Sequence, residues 1–95
     1  MTIVQEVNDM FSNKAYVLIR TVPDKTKEAF RSLRECAEVK VVDIITGPYD
    51  IIAIIEAPSA DEVLDFVMGQ VRYIDGITDT VTCFAVRTTD QSPAY

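Results

Sequence analysis

The chain has 95 residues, enough for one domain, and a formal net charge of −6. A surface of this sign repels phosphate groups, which argues against direct nucleic-acid binding and against docking on an anionic membrane. No apolar run approaches the roughly 20 residues of a membrane helix, and the N-terminal residues lack the basic and apolar segments of a signal peptide. We therefore expect a cytoplasmic protein.

The residue types that most often carry enzyme chemistry are scarce. There is no histidine, which removes a Ser-His-Asp triad and the usual zinc sites. The carboxylates of Asp43, Asp50 and Asp79 are too scattered in sequence to indicate a catalytic pair. Cys36 and Cys83 lack C-x-x-C spacing and are interpreted as buried, reduced thiols. We expect no catalytic residue, no metal site and no cofactor.

The first part of the chain predicts an arm, a strand and a helix. Residues 1–14 carry apolar side chains at helical spacing and are interpreted as an N-terminal arm or short helix. Residues 15–22, "AYVLIRTV", are rich in β-branched and aromatic residues and predict a strand. Asp24 can cap a helix over 25–37. The apolar face of that helix is predicted to comprise Phe30, Leu33 and Ala37.

The rest of the chain predicts a hairpin, a second helix and a last strand. Strands over 39–46 and 50–57 are joined by a link so short that they must be antiparallel. Residues 58–74 predict one helix, which begins with a Ser59/Glu62 capping box. Gly69 suggests close packing inside it. Its buried stripe is Val63, Phe66, Val67, Val71 and Ile74. A last strand over 77–87 precedes a loose tail, 88–95.

The element order β-α-β-β-α-β predicts an α+β, ferredoxin-like sandwich with four antiparallel strands and both helices on one face of the sheet. The opposite face of such a sheet would ordinarily alternate to polar residues. Here both parities of the central strands are apolar, as in "DIIAIIEA" (50–57). We therefore expect the free faces of two copies to pair sheet to sheet, as in dimeric α/β barrels.

Two short motifs have both a structural and a functional interpretation. In "TGPYD" (46–50), Gly47 and Pro48 suit a hairpin turn and Asp50 can bind nearby amides. The same turn could present backbone groups to a small ligand, with Asp50 facing an ammonium group. In "TDTVT" (78–82), the threonines are predicted to share one face and to offer hydroxyls to a carboxylate, or simply to form a β-branched edge. An acidic acceptor beside hydroxyl donors suits a zwitterionic amino acid.

These motifs carry a resemblance. "TGPYD" and "IDGITDTVT" (74–82), in this order within residues 15–87, resemble the effector-binding domain of the Lrp/AsnC family of transcription regulators, also called the RAM domain. The resemblance implies a βαββαβ fold, pairing through the sheets, rings of eight or ten chains, and amino acids bound where neighbouring dimers meet. The ligand-binding residues that it implies are Gly47, Pro48, Tyr49, Asp50, Thr80, Thr82, Cys83 and Phe84.

Three functions follow as alternatives. Because the family's helix-turn-helix precedes this domain and only about fourteen residues precede the first predicted strand, we expect a stand-alone sensor of an amino acid or similar metabolite that acts in transcription regulation. The alternative is an interaction protein that co-assembles with full-length Lrp/AsnC regulators without binding a ligand. Some small monooxygenases also consist of paired ferredoxin-like domains, but the missing catalytic residue types argue against an enzyme.

Overall fold

The computed structural model describes residues 13–86 and contains the six predicted elements in the predicted order. The strands are β1 (Asn13–Thr21), β2 (Val39–Ile44), β3 (Ile51–Ala57) and β4 (Ile77–Phe84). The helices are α1 (Thr26–Arg34) and α2 (Ala60–Gly69), and 3-10 turns cover Pro23–Lys25 and Val71–Tyr73. Most of the predicted arm and all of the predicted tail lie outside the described residues. β1 begins two residues earlier than predicted.

The four strands form one antiparallel sheet in the order β2-β3-β1-β4. The central strands β3 and β1 therefore pair with each other, and β2 and β4 are the edge strands. This arrangement confirms the predicted ferredoxin-like α+β fold. Neither helix among residues 13–86 is long and apolar enough to cross a membrane.

One face of the sheet and the inner faces of the helices form the core. Ala15, Val17 and Ile19 alternate along β1 and are fully buried, since successive side chains of a strand point to opposite faces. The other fully or nearly fully buried apolar residues are Ala29, Leu33, Ile51, Ala53, Ile55, Val63, Phe66, Val67 and Val71. The prediction for α1 was partly wrong, because the helix stops at Arg34 and leaves Ala37 exposed while Ala29 is buried in its place.

The two helices begin differently. Ser59 Oγ accepts a hydrogen bond from the Glu62 N–H at 3.2 Å and donates one to the Glu62 carboxylate at 3.1 Å. The predicted Ser59/Glu62 pairing is therefore present at the start of α2. The predicted cap by Asp24 was wrong, because Asp24 lies inside a 3-10 turn that precedes α1 and its side chain caps neither element.

Gly76 closes the turn before β4. Its φ of 94° is one that residues with a Cβ rarely adopt, and a Cβ built there would collide with the Lys25 side chain. The Gly76 carbonyl accepts a hydrogen bond from Val22 N–H at 2.8 Å. Lys25 Nζ also donates to Asp75 Oδ2 at 2.7 Å, which lowers the pKa of Asp75 and raises that of Lys25. The loop after β1 and the turn before β4 are thus held together.

Gly69 does not have the close contact that the sequence suggested. It is the last residue of α2, and a Cβ built there would meet no atom within 4 Å. We therefore expect Gly69→Ala to stabilise the protein by about 0.4–1 kcal/mol, because alanine reduces the conformational freedom of the unfolded chain. Urea unfolding of the two proteins measures the difference. A loss of stability would indicate that another molecule packs against this position.

The second face of the sheet is apolar in its middle, and no element of residues 13–86 covers it. We call it the open face and define it by Tyr16, Leu18, Val41, Ile52, Ile54 and Val81. The pairing register places these side chains on one side: Tyr16 lies opposite Ile54, and Leu18 lies between Ile52 and Val81. Val41 is 46% exposed and Val81 is 36% exposed. The apolar character predicted for both faces is therefore observed in the middle of the sheet, while Asp43, opposite Ile52, lies at the margin of this face.

The two cysteines differ in environment. Cys36 is half-buried, and burial, followed by the nearby Glu38 and Glu35 carboxylates, raises the pKa of its thiol. Cys83 is exposed and lies opposite Tyr16, on the side of the open face. The expectation that both thiols are buried was therefore wrong for Cys83 in the single chain, because β4 is an edge strand.

Candidate functional site

The β2–β3 turn begins with a glycine in a conformation that other residues rarely adopt. Gly47 has a φ of 126°, and a Cβ there would meet no atom within 4 Å. The glycine is therefore required by backbone conformation and not by crowding. Ile45 N–H donates to the Asp50 carbonyl at 2.8 Å and closes the turn. Gly47 and Pro48 are exposed, and Tyr49 and Asp50 are half-buried.

The Asp50 carboxylate extends the hydrogen bonding between β1 and β3. Their regular pairing ends at Ile19 and Ile51, and Asp50 N–H donates to the Ile19 carbonyl at 2.9 Å. Asp50 Oδ2 then accepts the N–H of Thr21 at 2.7 Å and its hydroxyl at 3.3 Å. Thr21 is only 6% exposed, so this side chain satisfies a backbone donor that the sheet leaves without a strand partner.

The same contact reaches the first helix. The hydroxyls of Thr21 and Thr26 lie 2.6 Å apart, and Thr26 Oγ1 is also 3.3 Å from the Pro23 carbonyl. Thr26 is the first residue of α1. Asp50 Oδ2 is thus part of a network that connects the turn, the end of β1 and the start of α1. Oδ1 accepts no hydrogen bond from residues 13–86.

Tyr49 contacts the end of β1 through Arg20. The Arg20 guanidinium lies over the Tyr49 ring, 4.7 Å from its centroid, a cation–π geometry. Arg20 lies opposite Asp79 in β4. The turn is therefore held by two contacts, from Arg20 to Tyr49 and from Thr21 to Asp50.

Thr80 and Thr82 lie on the helix side of edge strand β4, because they pair with Ile19 and Val17. Ala85 N–H donates to the Lys14 carbonyl at 2.8 Å. The alternation of an antiparallel ladder then directs the N–H and C=O groups of Thr80 and Thr82 away from β1, toward the free edge of the described sheet. Each threonine thus offers a hydroxyl and two backbone groups along one side of the strand.

Thr78 lines a groove together with Thr80 and Thr82, but its hydroxyl is bonded within the sheet. The register shifts between Arg20 and Thr21, where Asp79 pairs with Arg20 but Ile77 pairs with Thr21. Thr78 is the extra residue of this β-bulge, and its hydroxyl donates to the Arg20 carbonyl at 3.1 Å. The Thr78 hydroxyl is therefore used by the sheet, and of these three threonines, Thr80 and Thr82 are the two whose hydroxyls have no partner among residues 13–86.

A groove of about 320 Å³ runs along this edge, between β4 and the end of α2. We call it the edge groove. Its lining residues are Leu64, Val67, Met68, Arg72, Ile77, Thr78, Asp79, Thr80 and Thr82. The volume is at the lower end of the roughly 300–1,000 Å³ of ligand pockets. Sequence analysis did not identify Leu64, Met68 or Arg72, and the four-residue spacing of Leu64 and Met68 was the available signal for those two residues.

The eight residues implied by the resemblance do not form one pocket within a chain. Gly47, Pro48, Tyr49 and Asp50 do not border the edge groove. Asp50 and Thr80 flank Ile19 from opposite strands, so two strand spacings, roughly 9–10 Å, separate their backbones. Of the remaining pair, Phe84 lies on the helix side against the core, whereas Cys83 lies on the side of the open face.

A second groove, of about 340 Å³, lies at the other end of the sheet beside the start of α2. Four carboxylates, those of Glu38, Glu56, Glu62 and Asp65, border it. Its charge disfavours an anionic ligand. In the part of the chain from 13 to 86, no cluster of three or more carboxylate or cysteine side chains could hold a metal ion.

The sequence matches one family over nearly its whole length. Residues 14–95 match the Lrp/AsnC ligand binding domain, and the chain therefore belongs to this family, as the resemblance indicated. An HTH-type transcriptional regulator of Pyrococcus furiosus is 37% identical over 71 residues, which are 72% of this chain and 47% of the relative. One of Pyrococcus horikoshii is 31% identical over 68 residues, 72% of this chain and 43% of the relative. The chain thus spans less than half of these regulators.

Solved structures agree with the fold. TTHA0845 from Thermus thermophilus has a TM-score of 0.77 and 28% identity, and the match covers 83% of this chain and 99% of that one. E. coli AsnC has a TM-score of 0.80 at 18% identity, covering 93% of this chain and 58% of AsnC. The regulator NMB0573 of Neisseria meningitidis, solved as a complex with L-Met, has a TM-score of 0.76 at 17% identity, with coverage of 96% and 59%. The family is one of transcriptional regulators and not of enzymes.

Proposed function

We propose that this chain is the amino-acid-binding and oligomerisation domain of a transcription regulatory system, and not an enzyme. The observation that carries the proposal is the edge groove, which Thr80 and Thr82 line together with Arg72 and the apolar end of α2. A zwitterion with a side chain needs this combination. The L-Met complex of the Neisseria regulator, which shares the fold, supports this ligand class.

The ligand site is completed by a second copy. Asp50 Oδ1 is available for an ammonium group, but β1 separates Asp50 from the edge groove of its own chain. We propose that the Gly47–Asp50 turn of one copy lies over the edge groove of another. The ligand then connects the two copies, and its binding favours the assembly that contains this contact.

The open face provides a separate contact between copies. Its apolar side chains form a continuous patch on the two central strands and their neighbours, and such patches on small domains are protein contacts or aggregation sites. We propose that two copies pair through this face in a homodimer, and that dimers join through the composite ligand sites into a ring of eight or ten chains.

The test is a thermal-shift screen of the purified protein against the twenty amino acids at millimolar concentration. A ligand present at about 100 times its dissociation constant adds roughly 2.7 kcal/mol, which raises the midpoint of a domain of this size by several degrees. We expect a shift with one or a few amino acids whose side chains are apolar, since Leu64 and Met68 line the groove.

The absence of a shift with all twenty amino acids would contradict the sensor function. In that case the contacts of the domain alone would support the alternative, co-assembly with full-length Lrp/AsnC regulators. Co-purification with such a regulator from the source cells, together with unchanged melting in all amino acids, is the result that distinguishes the alternative.

A further inference from the structure

We propose that Arg72 recognises the carboxylate of the ligand, and that the edge groove therefore accepts α-amino acids with a free carboxylate and an apolar side chain. This role rests on the proposed function and assigns a residue that lies outside both motifs of the sequence. Arg72 borders the same groove as Thr80 and Thr82. Its position, its partners and the charge around it lead to this assignment.

The backbone of Arg72 is held in place. Arg72 is the middle residue of the 3-10 turn Val71–Tyr73, and the preceding Val71 is fully buried in the core. Tyr73 N–H donates to the Gln70 carbonyl and Ile74 N–H donates to the Val71 carbonyl, both at 3.1 Å. The Cα of Arg72 is thus fixed relative to the core, while its exposed side chain can turn toward a ligand in the groove.

The guanidinium of Arg72 has only a weak partner. Nη1 donates to the Met68 sulfur at 3.2 Å, and a thioether is a poor acceptor. No carboxylate of residues 13–86 forms an ion pair with Arg72, although the chain has 15 acidic residues against 9 basic ones. A ligand carboxylate could replace the sulfur and accept two parallel hydrogen bonds, the strongest arrangement for a guanidinium.

The charge distribution of the protein makes Arg72 important for attracting a carboxylate. With a net charge of −6, the protein as a whole repels carboxylates, and the second groove is bordered by four acidic side chains. Within the described range 13–86, Arg72 is the only cationic residue that lines the edge groove. A local positive charge is therefore needed there to bring a ligand carboxylate into contact with the Thr80 and Thr82 donors.

The wall next to Arg72 indicates the side chain of the ligand. Leu64 and Met68 are one turn apart on α2 and are 40% and 55% exposed, and both line the groove. An aliphatic or thioether side chain would cover these two residues and remove apolar surface from water. A charged or strongly polar side chain would lose hydration there without gaining a partner.

The experiment compares each amino acid with its carboxamide, which keeps the ammonium group and the side chain but lacks the negative charge. Calorimetric titrations use L-leucine, L-methionine and their carboxamides against the wild-type protein, Arg72→Met and Arg72→Lys. Arg34→Met is the matched control, since Arg34 lies exposed in the last turn of α1 and does not line the groove. Thermal unfolding without ligand verifies that all four proteins fold.

We expect the wild-type protein to bind the acid at least about tenfold more tightly than the amide, a difference of about 1.4 kcal/mol. Arg72→Met should weaken binding of the acid by about that factor and reduce the acid-to-amide preference to near one, whereas Arg34→Met should change neither. Arg72→Lys should keep part of the preference, because it keeps the charge but not the bidentate geometry.

Other outcomes overturn the assignment in distinguishable ways. If the wild-type protein binds an amino acid and the folded Arg72→Met protein keeps the full acid-to-amide preference, Arg72 does not read the carboxylate while the sensor function stands. An equal loss of affinity for acid and amide would assign Arg72 a structural role only. If neither Arg72 variant folds, the wild-type protein still tests the assignment. Equal affinity of the wild-type protein for the acid and the amide would mean that no residue of the groove recognises the carboxylate charge. If the wild-type protein binds neither ligand pair, the ligand class is wrong.

Discussion

Ile54→Asp is expected to convert the protein from an oligomer into single chains. Ile54 lies near the middle of the open face, opposite Tyr16 on β1 and Val41 on β2. In the single chain it is half-buried, so a polar residue there is compatible with the fold. In a sheet-to-sheet pair the same carboxylate would be removed from water without a partner, which is strongly unfavourable. Without amino acid, which favours the separate contact through the composite ligand sites, sedimentation equilibrium at micromolar concentration should therefore give a mass near 10.6 kDa for the variant.

The matched control is Ile44→Asp. Ile44 is 48% exposed and lies on the edge strand β2, but its pairing with Ile51 puts it on the helix side of the sheet. This variant should keep the mass of the wild-type oligomer. If the wild-type protein is itself a single chain at micromolar concentration, or if Ile54→Asp remains fully associated, the open face is not the dimer contact.

Asp50→Ala is expected to lower both stability and ligand affinity, whereas Asp50→Asn should lower chiefly affinity. Alanine leaves the Thr21 N–H, in a residue only 6% exposed, without its acceptor, and an unsatisfied buried donor costs about 1–3 kcal/mol. Asparagine keeps a side-chain oxygen for Thr21 but removes the charge proposed to bind the ammonium group. Urea unfolding and calorimetric titration of the amino acid that shifts melting of the wild type separate the two effects.

The control for the unfolding experiment is Asp65→Ala, an exposed acidic residue of α2, for which a change within about 0.5 kcal/mol is expected. A neutral Asp50→Ala would show that the Thr21 contact is dispensable. Full ligand affinity in Asp50→Asn would remove Asp50 from the ammonium site. Simple loss of binding in Asp50→Ala would be ambiguous, because the structure gives this side chain a role in the fold as well.

The sequence predicted the architecture because each element has a consistent pattern of its own. The continuous runs of β-branched and aromatic residues on β1 and β3 indicate strands, and the 3.6-residue stripe from Val63 to Phe66 and Val67 indicates a helix. Ser59 and Glu62, which are three residues apart in the chain, predicted the start of α2. Signals of this kind are local, and they specify elements and their order.

What the sequence could not predict depends on contacts between distant residues. The Asp50–Thr21 hydrogen bond joins residues 29 positions apart, and it exists because the β1–β3 ladder ends one residue before it. The bulge at Thr78 follows from the register between β1 and β4. Neither leaves a pattern in the neighbouring residues, so sequence analysis could not show that the sheet uses the Thr78 hydroxyl.

Sequence analysis did not identify Arg72 as a groove residue for a related reason. The apolar stripe continues through Val71 and Ile74, so residues 58–74 looked like one helix with Arg72 on its outer side. α2 instead ends at Gly69, and a 3-10 turn follows, which keeps Val71 in the core and places Arg72 beside β4. A change of helix type within a continuous apolar pattern cannot be recognised from spacing alone.

The central claim is that the Gly47–Asp50 turn of one copy and the edge groove of another form one ligand site, and mixing two variants tests it most directly. One variant carries Asp50→Asn and the other carries Thr80→Val with Thr82→Val; the two are unfolded together, refolded, and titrated with the amino acid that the wild-type protein binds. Neither variant alone should bind it. The mixture should recover about one quarter of the wild-type sites, since random assembly brings an intact turn to an intact groove at that frequency. Recovery of no sites in a fully mixed oligomer would contradict a site shared between copies.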